Sequence, residues 1–439
     1  MSRSNWLLCA DESLKAWRVV FSTTVQSATV NFTSWPLAQP LVISSGAITE
    51  LTEATVSVTA TVAGKTATGQ GSIFLSDIWA WPDPSKTHSE RDATLRSLCK
   101  LLASDLPQYC GGEPAHPLEL GLRLHERFCQ LDSPPKLARA MVTSPFDAAL
   151  HDAVGRALDR SAFSFYTEPA DLPTAEPYTD GPAWQAIRDT LRTPVRQLRA
   201  WLLVSGNDGP EQLAPWLQGR GYRCLKIKLS GRDASVDAER TSEVFKMGSQ
   251  LIAPDVLEAV SVDTNEGNPD AGSVMAYLDE LKSRDPAAFA AISYLEQPTH
   301  RDITKAAYDW RPVASRCPVL LDEGLTDLDL MPLAQQQGWS GFALKTCKGH
   351  SVCLLAATWA RQHGLSVSLQ DLTNPGRALI HAGLLAAHLP TLNGVEMNSP
   401  QYTPAANADW QGRLPDLFTP QDGFHRLPAT IPNGLGGDL

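Results

Sequence analysis

The chain has 439 residues, 43% of them hydrophobic and 19% charged, which is typical of a globular protein with room for two domains. Its formal net charge of −11 argues against a nucleic-acid surface, and no apolar run is long enough to span a bilayer. Residues 1–20 carry five charges, so no secretory segment is expected there. The eight cysteines include no C-x-x-C pair, which favours reduced thiols. We expect a cytoplasmic protein without nucleic-acid or membrane partners.

The N-terminal third is predicted to begin with β structure over residues 14–75. Alternation of apolar and hydroxyl residues over Ala54–Val62 indicates a strand, and Ala63-Gly64-Lys65 indicates a turn into the next one. The prolines Pro36 and Pro40 predict loops there. Helical patterns follow at about 89–105, 118–131 and 145–159, the last capped by Ser144 with Pro145 as first residue; loops are predicted at 79–84 and 166–183.

From residue 198 onward, strands and helices alternate strictly. Such a series predicts a parallel sheet, and eight units predict a closed (β/α)₈ TIM-type barrel. A doubly wound open sheet would show a G-x-G-x-x-G turn, which 205–209 lacks. We therefore predict an α/β protein with a barrel at 145–399 and an α+β N-terminal capping domain at 1–144, joined by the segment 400–439. The predicted strands are 198–204, 222–229, 259–263, 291–296, 319–322, 342–345, 365–369 and 394–397.

Charged residues mark the ends of five successive predicted strands, where barrel chemistry is found. Lys226 and Lys228 share one face of the second strand, because side chains alternate along a strand. The next three strands end at Asp263, Glu296 and Asp322, and the sixth ends at Lys345. Any one of these acids alone is more often a helix cap or a surface charge. Three converging carboxylates need a cation, and an all-oxygen set suits Mg²⁺.

This order of residues resembles the enolase superfamily, specifically its muconate-lactonizing-enzyme-like subgroup. The resemblance implies that Asp263, Glu296 and Asp322 bind Mg²⁺, with Mn²⁺ as the alternative ion, and that Lys228 and Lys345 are the two acid/base groups. A histidine near the end of the seventh strand, typical of the mandelate-racemase subgroup, is missing from 365–371. The matching motifs are Lys226-Ile-Lys228, Val262-Asp263-Thr264-Asn265, Leu295-Glu296-Gln297-Pro298, Leu321-Asp322-Glu323 and Leu344-Lys345, with weaker matches at 40–46, 54–71 and 145–158.

The same resemblance implies roles for the remaining polar residues. Lys226 would pair with the substrate carboxylate, while Asn265 and Glu323 would support the site, Glu323 by orienting Lys345. On the eighth strand Glu396 and Asn398 share a face, where family members acting on dipeptides place an acid-x-acid pair that holds the substrate amino group. The loops at about 22–36 and 72–88, with Trp35, Trp79 and Trp81, are expected to close over the barrel mouth. A homo-oligomer is expected.

The chemistry implied is removal of the α-proton of a small carboxylate substrate, giving an enediolate that Mg²⁺ stabilises. Two lysines on opposite faces favour a racemase or epimerase of an amino-acid derivative or related acid. A dehydratase, an o-succinylbenzoate-synthase-like enzyme, a cycloisomerase and a barrel that only binds ligands remain alternatives. The sequence departs from the family pattern at Ser72, where an acid is usual, at Lys348-Gly349-His350, where a glycine pair is usual, and in the long segment 160–197.

Overall fold

The computed structural model describes residues 21–43, 46–252, 257–305, 308–437 and 439. Its N-terminal part is an antiparallel sheet of three strands, β1 (Thr23–Ile43), β2 (Gly46–Val62) and β3 (Lys65–Phe74), in the order β1-β2-β3. Along β2 the apolar side chains are buried while the hydroxyl side chains are partly exposed, so one face of the sheet packs on helices. These helices and the short ones after them are Asp77–Ala80, His88–Tyr109, Pro117–Phe128, Lys136–Ala157, Ala162–Phe165 and Ala183–Thr190, with a 3₁₀ turn at Glu176–Tyr178.

The helix Lys136–Ala157 packs so closely against β3 that the backbones of the two elements are in contact. A Cβ at Gly69 would lie 2.1 Å from the backbone nitrogen of Ala153, and one at Gly71 would lie 2.2 Å from the carbonyl oxygen of Pro145. Only glycine permits this approach. The two glycines therefore fix how closely the N-terminal sheet sits on this helix.

The predicted start of that helix at Pro145 was wrong. The helix begins at Lys136 and runs across Pro145. Proline cannot donate to the carbonyl four residues earlier, which normally breaks a helix. Here the hydroxyl of Ser144 donates to the carbonyl of Met141 at 2.8 Å and replaces the missing bond. Because the helix crosses residues 144 and 145, the domain boundary there stays a prediction.

The second half is a parallel sheet of seven strands that pair in chain order, which confirms the predicted barrel fold class. Outward-facing residues such as Leu225 and Ile227 join the main core under the helices. The lower barrel interior is filled by a separate apolar cluster that includes Trp201, Tyr294 and Leu320. The strands are β5 (Trp201–Val204), β6 (Cys224–Lys228), β7 (Ala259–Asp263), β8 (Ile292–Glu296), β9 (Val319–Leu321), β10 (Gly341–Lys345) and β11 (Ser366–Gln370). Helices between and after them are Pro210–Arg220, Ala234–Leu251, Ala271–Arg284, Pro286–Ala290, Arg311–Ala314, Met331–Gln336, His350–Gln362, Gly376–His388, Ser399–Tyr402, Ala408–Arg413 and Pro415–Phe418, with 3₁₀ turns at Leu328–Leu330 and Thr346–Lys348.

The predicted eighth strand at 394–397 was wrong as a strand. Val395 forms a parallel bridge to Ala200 beside β5, and Glu396 forms one to Gln370 at the end of β11. These isolated bridges connect the two edge strands of the sheet, so the barrel closes. A segment that pairs at single residues keeps too few ladder hydrogen bonds to form a regular strand.

Several other predicted elements also differ. The predicted loop at about 22–36 was wrong, because β1 begins at Thr23. Pro36 and Pro40 also lie within β1 rather than in loops, at a register shift against β2, because a bulge leaves proline without an obligatory partner. A short helix, Asp77–Ala80, begins in what was predicted as a loop. In the segment 302–309, where the predicted alternation of strands and helices requires a helix, residues 303–305 form a turn, and 306–307, like 14–20 of the predicted β region, lie outside the described residues.

The seven described cysteines are all free, and Cys9 lies outside the described residues. In the part of the chain that the structure describes, no helix is both long and apolar enough to cross a membrane. The C-terminal segment contacts both halves of the protein. A strand at its centre, β12 (Phe424–Arg426), pairs with β4 (Gln197–Arg199) below the barrel. Near its end, the amides of Leu435 and Gly437 donate to Asp152 on the helix Lys136–Ala157.

A buried histidine cluster lies where that helix meets the barrel. We define it as His151, Tyr166, His350 and His381. The Tyr166 hydroxyl lies 2.6 Å from His151 Nδ1 and 2.8 Å from His350 Nε2, and His350 Nδ1 lies 2.7 Å from His381 Nε2. Burial lowers the pKa of His350 well below its ordinary value and that of His381 to about 4. Hydrogen-bonded rings therefore connect the two parts of the fold, and among them His350 and His381 are neutral.

Candidate active site

The strand register places the predicted site residues at one level of the barrel. Lys228 is the pairing partner of Asp263, and Asp263 is the partner of Glu296. Asp322 follows directly on β9, and Lys345 ends β10 beside Gln370 of β11. Since paired residues of parallel strands project to the same side, these groups converge at the carboxyl end of the barrel.

Lys226 lies at the centre of this charged cluster. Its ammonium nitrogen is 2.9 Å from both carboxylate oxygens of Glu296, 3.0 Å from Glu396 Oε2 and 3.2 Å from Asp263 Oδ2. Gln370 adds an amide oxygen at 3.3 Å. Burial alone would lower the pKa of Lys226, but the surrounding carboxylates raise it well above its ordinary value. The group therefore remains a cation.

Lys228 and Lys345 lie on either side of Lys226. The Lys228 ammonium group is 2.5 Å from Asp263 Oδ2 and 2.8 Å from Asn265 Oδ1. Lys345 donates to Glu296 Oε1 at 3.2 Å and forms a short contact with Asp322 Oδ2. Burial opposes the charge of Lys345, yet the carboxylates of Asp322 and Glu296 raise its pKa.

Glu323 lies on the side of the cluster nearest the N-terminal domain. Its Oε1 accepts from the indole of Trp79 at 2.8 Å and from the side-chain amide of Asn265 at 3.1 Å, whereas the buried Oε2 has no hydrogen-bond partner. Burial, reinforced by the charge of Asp322, raises the pKa of Glu323 to about 8. Glu323 forms no hydrogen bond with Lys345 among the described contacts, so its predicted orienting role stays a prediction.

Lys348 is a buried cation that the sequence analysis did not assign to the site. Its ammonium group donates to the Asp322 carbonyl at 2.6 Å and to Asp322 Oδ1 at 3.0 Å. A 3₁₀ turn over Thr346–Lys348 carries the side chain back beneath β9. The only signal in the sequence was the Lys348-Gly349-His350 departure from the family's glycine pair.

Glu396 and Asn398 lie beside the cluster, as expected for the eighth barrel segment. Asn398 Nδ2 donates to Glu396 Oε1 at 2.6 Å, and Glu396 Oε2 is the oxygen that contacts Lys226. Asn398 Oδ1 is buried without a hydrogen-bond partner. The pair thus presents one amide oxygen that a substrate N–H could satisfy.

An apolar cover from the N-terminal domain closes over the charged residues. Leu41, Ile48, Leu51 and Trp79 line the same cavity as Lys226, Lys228, Lys345, Glu396 and Asn398. Trp79 also places its ring 5.3 Å from the Lys345 ammonium group, within cation–π range. The other two predicted tryptophans do not line this cavity. Trp35 bonds to Glu53, and Trp81 packs in the main core.

The fit of Mg²⁺ depends on the chemistry of the donor set. Among the described residues no three His, Cys, Asp or Glu side chains are arranged to hold a metal ion in this conformation, because lysine ammonium groups lie between Asp263, Glu296 and Asp322. The available donors are nonetheless all carboxylate oxygens from neighbouring strand ends, which Mg²⁺ prefers. The donor set fits the ion once the lysine ammonium groups no longer pair with these oxygens.

The fold is a barrel whose mouth carries paired lysines and carboxylates, and an N-terminal domain covers that mouth. The sequence matches the family model "Enolase C-terminal domain-like" over residues 210–439. This match covers half of the chain, and the protein belongs to the enolase superfamily, as the strand-end motifs predicted. No curated protein matches the sequence significantly.

Several solved structures share the fold across both parts of the chain. An enolase from Bradyrhizobium complexed with magnesium and mandelic acid is 17% identical, with 94% of this chain and 95% of that chain covered and a TM-score of 0.64. A muconate lactonizing enzyme from Klebsiella pneumoniae is 18% identical, with 94% and 96% covered and a TM-score of 0.63. A dipeptide epimerase from Cytophaga hutchinsonii complexed with Mg and D-Ala-L-Val is 18% identical, with 94% and 95% covered and a TM-score of 0.62.

Proposed function

We propose that this protein is a Mg²⁺-dependent enzyme that removes and returns the α-proton of a carboxylate substrate, most simply as a racemase or epimerase. The observation that carries the proposal is the pair Lys228 and Lys345. They belong to β6 and β10, four positions apart in a ring of eight segments, and both reach the cavity beneath the apolar cover. An α-carbon held between them has one amine on each face.

The carboxylates Asp263, Glu296 and Asp322 would hold the metal. When bound there, Mg²⁺ supplies Lewis-acid stabilisation of the charge that develops on the substrate carboxylate. The solved structures of superfamily members with magnesium support this assignment. Lys226, with five oxygen atoms from four residues already around it, would neutralise the second substrate oxygen.

The lysine pair determines the stereochemical course. If Lys228 takes the proton from one face and Lys345 returns one to the other, the configuration at carbon inverts. A syn-elimination or a cyclisation can instead use one lysine for both transfers. The apolar cover and Trp79 exclude water, which strengthens every charge interaction within the closed cavity.

The substrate class is a small carboxylate with an apolar part and a nitrogen near the reacting carbon. Leu41, Ile48 and Leu51 offer an apolar wall to the substrate side group. Asn398 Oδ1 and Glu396 offer acceptors for an amide or ammonium N–H. N-acyl amino acids and dipeptides fit this description, and the dipeptide-bound epimerase structure supports it.

The test is exchange of the α-hydrogen in D₂O over a panel of N-acyl amino acids, dipeptides and sugar acids. Lys228→Ala should abolish exchange for one enantiomer and spare it for the other, and Lys345→Ala should do the reverse, each loss being about 10²–10⁴-fold. Lys305→Ala, an exposed lysine on the barrel surface, is the matched control and should leave both rates unchanged.

Two outcomes would replace the proposal. If Lys345→Ala leaves turnover of both stereoisomers intact, the two-base mechanism is wrong, and dehydration or cycloisomerisation with Lys228 alone takes its place. If wild-type protein binds members of the panel but exchanges no α-hydrogen, the protein is a binding barrel.

A further inference from the structure

A second cavity of about 750 Å³ lies away from the barrel mouth. It is bounded by the helix Pro117–Phe128, the first turn of the helix Lys136–Ala157, the segment 173–178 and the loop 327–329 that follows β9. None of its lining residues lines the cavity around Lys226. The proposed α-proton chemistry therefore does not use it.

Arg139 on the wall of this cavity is a buried basic residue that forms no ion pair among the described residues. It is 5% exposed, and its Nε and Nη1 atoms are enclosed without a hydrogen-bond partner. Among the described residues the other buried lysines and arginines, namely Arg91, Lys226, Lys345 and Lys348, each contact a carboxylate. Burying an unpaired charge costs free energy, and an anion bound beside the enclosed guanidinium would offset that cost.

The backbone at this point adds to the positive potential. The helix Lys136–Ala157 begins after Pro135, with no capping side chain and no acidic residue in its first turn. The first amides of a helix lack intrahelical partners and carry the positive end of the helix dipole. Some other helices, such as those after Thr87 and Asp233, have a side-chain oxygen at the cap position. Here the cap residue is Pro135, and the first helical residue is the basic Lys136.

The neighbouring helix supplies one more unused donor. His125 is 8% exposed, and its Nε2 has no hydrogen-bond partner, while its Nδ1 faces the Cys129 sulfur at 3.9 Å. The acids next to the cavity do not satisfy these donors. Asp327 contacts Lys136 at 2.7 Å, and Asp329 accepts from the Tyr178 hydroxyl at 2.6 Å.

We propose that this cavity binds a small phosphate-type oxyanion, held by Arg139, His125 Nε2–H and the free amides of the first turn of the helix Lys136–Ala157. A guanidinium, a ring N–H and the amides of a helix N-terminus are donors that suit a tetrahedral oxyanion. Free inorganic phosphate and the phosphate group of a small ester share this chemistry. Three exposed acids in the lining, Glu126, Asp132 and Asp329, disfavour an extended polyanion.

The test measures phosphate binding by the full-length chain at constant ionic strength. Inorganic phosphate and glycerol 3-phosphate are titrated separately, by calorimetry and by thermal unfolding, with sodium chloride making up the ionic strength. We expect saturable binding with a rise in Tm of about 2–5 °C. Binding of both probes indicates a site for free phosphate, and binding of the ester alone indicates a phosphorylated small molecule; either result supports the site.

Variants locate the binding. Arg139→Leu should weaken it at least tenfold and, without phosphate, should unfold at a Tm no lower than wild type, because an uncompensated charge has been removed. A purely structural role of Arg139 would instead lower that Tm and leave phosphate binding unchanged. His125→Phe should weaken binding less and provides the test if Arg139→Leu does not fold. Arg127→Leu, an exposed arginine that donates to the Gln108 carbonyl, is the control and should bind normally.

The proposal is overturned if wild-type protein shows no saturable response to either probe. It is equally overturned if Arg139→Leu shows the same response as wild type, because the anion then binds elsewhere. If Arg139→Leu does not fold, an unchanged response in His125→Phe overturns it for the same reason. Since α-proton exchange is measured on a different cavity, neither result bears on the proposed enzyme function.

Discussion

The charged cluster at the barrel mouth and the histidine cluster at the domain junction are both buried, yet they respond to burial in opposite ways. In the barrel, carboxylates within about 3 Å raise the pKa of Lys226 and Lys345 and keep them charged, and the ammonium groups of Lys345 and Lys348 in turn lower the pKa of Asp322 despite burial. In the histidine cluster burial dominates, and His350 and His381 stay neutral. The difference shows that a nearby counter-charge, rather than depth of burial, decides ionisation in this protein.

The largest expected effect comes from removing a central carboxylate. Glu296→Gln takes a negative charge from between Lys226, Lys345 and Gln370 and leaves two buried cations less compensated. We expect a loss of about 3 kcal/mol in the free energy of unfolding and loss of Mg²⁺ binding. Denaturant unfolding and metal calorimetry measure the two effects. Glu280→Gln, on an exposed helix face, is the control. If Glu296→Gln is as stable as wild type, the charges of Lys226 and Lys345 do not depend on Glu296 for compensation.

The histidine cluster predicts a pH dependence of stability. Because the folded pKa of His381 lies near 4 and the unfolded value near 6.5, the unfolded state binds the extra proton between these values. Stability should therefore be full above pH 6.5 and should fall as the pH drops toward 4, by about 3 kcal/mol for this residue. His381→Gln should flatten that part of the curve.

Chemical unfolding at several pH values from 7 down to 4 measures this dependence. His300→Gln, at an exposed histidine, is the matched control and should keep the wild-type slope. Equal slopes in His381→Gln and wild type would mean that the cluster is already protonated when folded, contrary to the comparison with the barrel mouth.

Lys226 should affect substrate binding more than the metal. Lys226→Met removes the cation that contacts Asp263, Glu296 and Glu396, and the substrate carboxylate loses its partner. We expect KM to rise about 10- to 100-fold, equivalent to 1.4–2.8 kcal/mol, with Mg²⁺ still bound. Steady-state kinetics with a substrate from the exchange panel, together with metal calorimetry, measure both. An unchanged KM with normal turnover would show that the lysine is structural only.

The smallest effect concerns Lys348, the cation that contacts Asp322 from below. Lys348→Met removes a positive charge that competes with a metal ion for this carboxylate. We expect Mg²⁺ affinity to rise about tenfold, or 1.4 kcal/mol. Weaker metal binding in this variant would indicate that Lys348 organises Asp322 for the metal rather than competing with it.

The sequence predicted the parts of the site that depend on strand ends. Lys228, Asp263, Glu296 and Lys345 each end an apolar strand, and that local pattern fixes both the strand and the direction of the side chain. The barrel followed from the same alternation. The domain boundary and the expected oligomer were not tested and stay predictions.

Features that depend on tertiary contacts could not be predicted from the sequence. Lys348 reaches Asp322 only through a 3₁₀ turn, and Pro145 continues a helix because a serine hydroxyl replaces one backbone bond. Residues 394–397 were predicted as the eighth strand, but the sequence does not show that they pair through single bridges only. The isolation of Arg139 likewise becomes visible only when all of its neighbours are placed.

The central claim is that the three carboxylates at the barrel mouth form a metal site that the lysines vacate. A crystal structure of the protein grown with Mg²⁺ tests it most directly. We expect one ion bound by Asp263, Glu296 and Asp322 at about 2.0–2.1 Å, with Lys228 and Lys345 moved off these oxygens and toward the cavity. An ion bound elsewhere, or the three carboxylates still paired with the lysines at saturating Mg²⁺, would contradict the account.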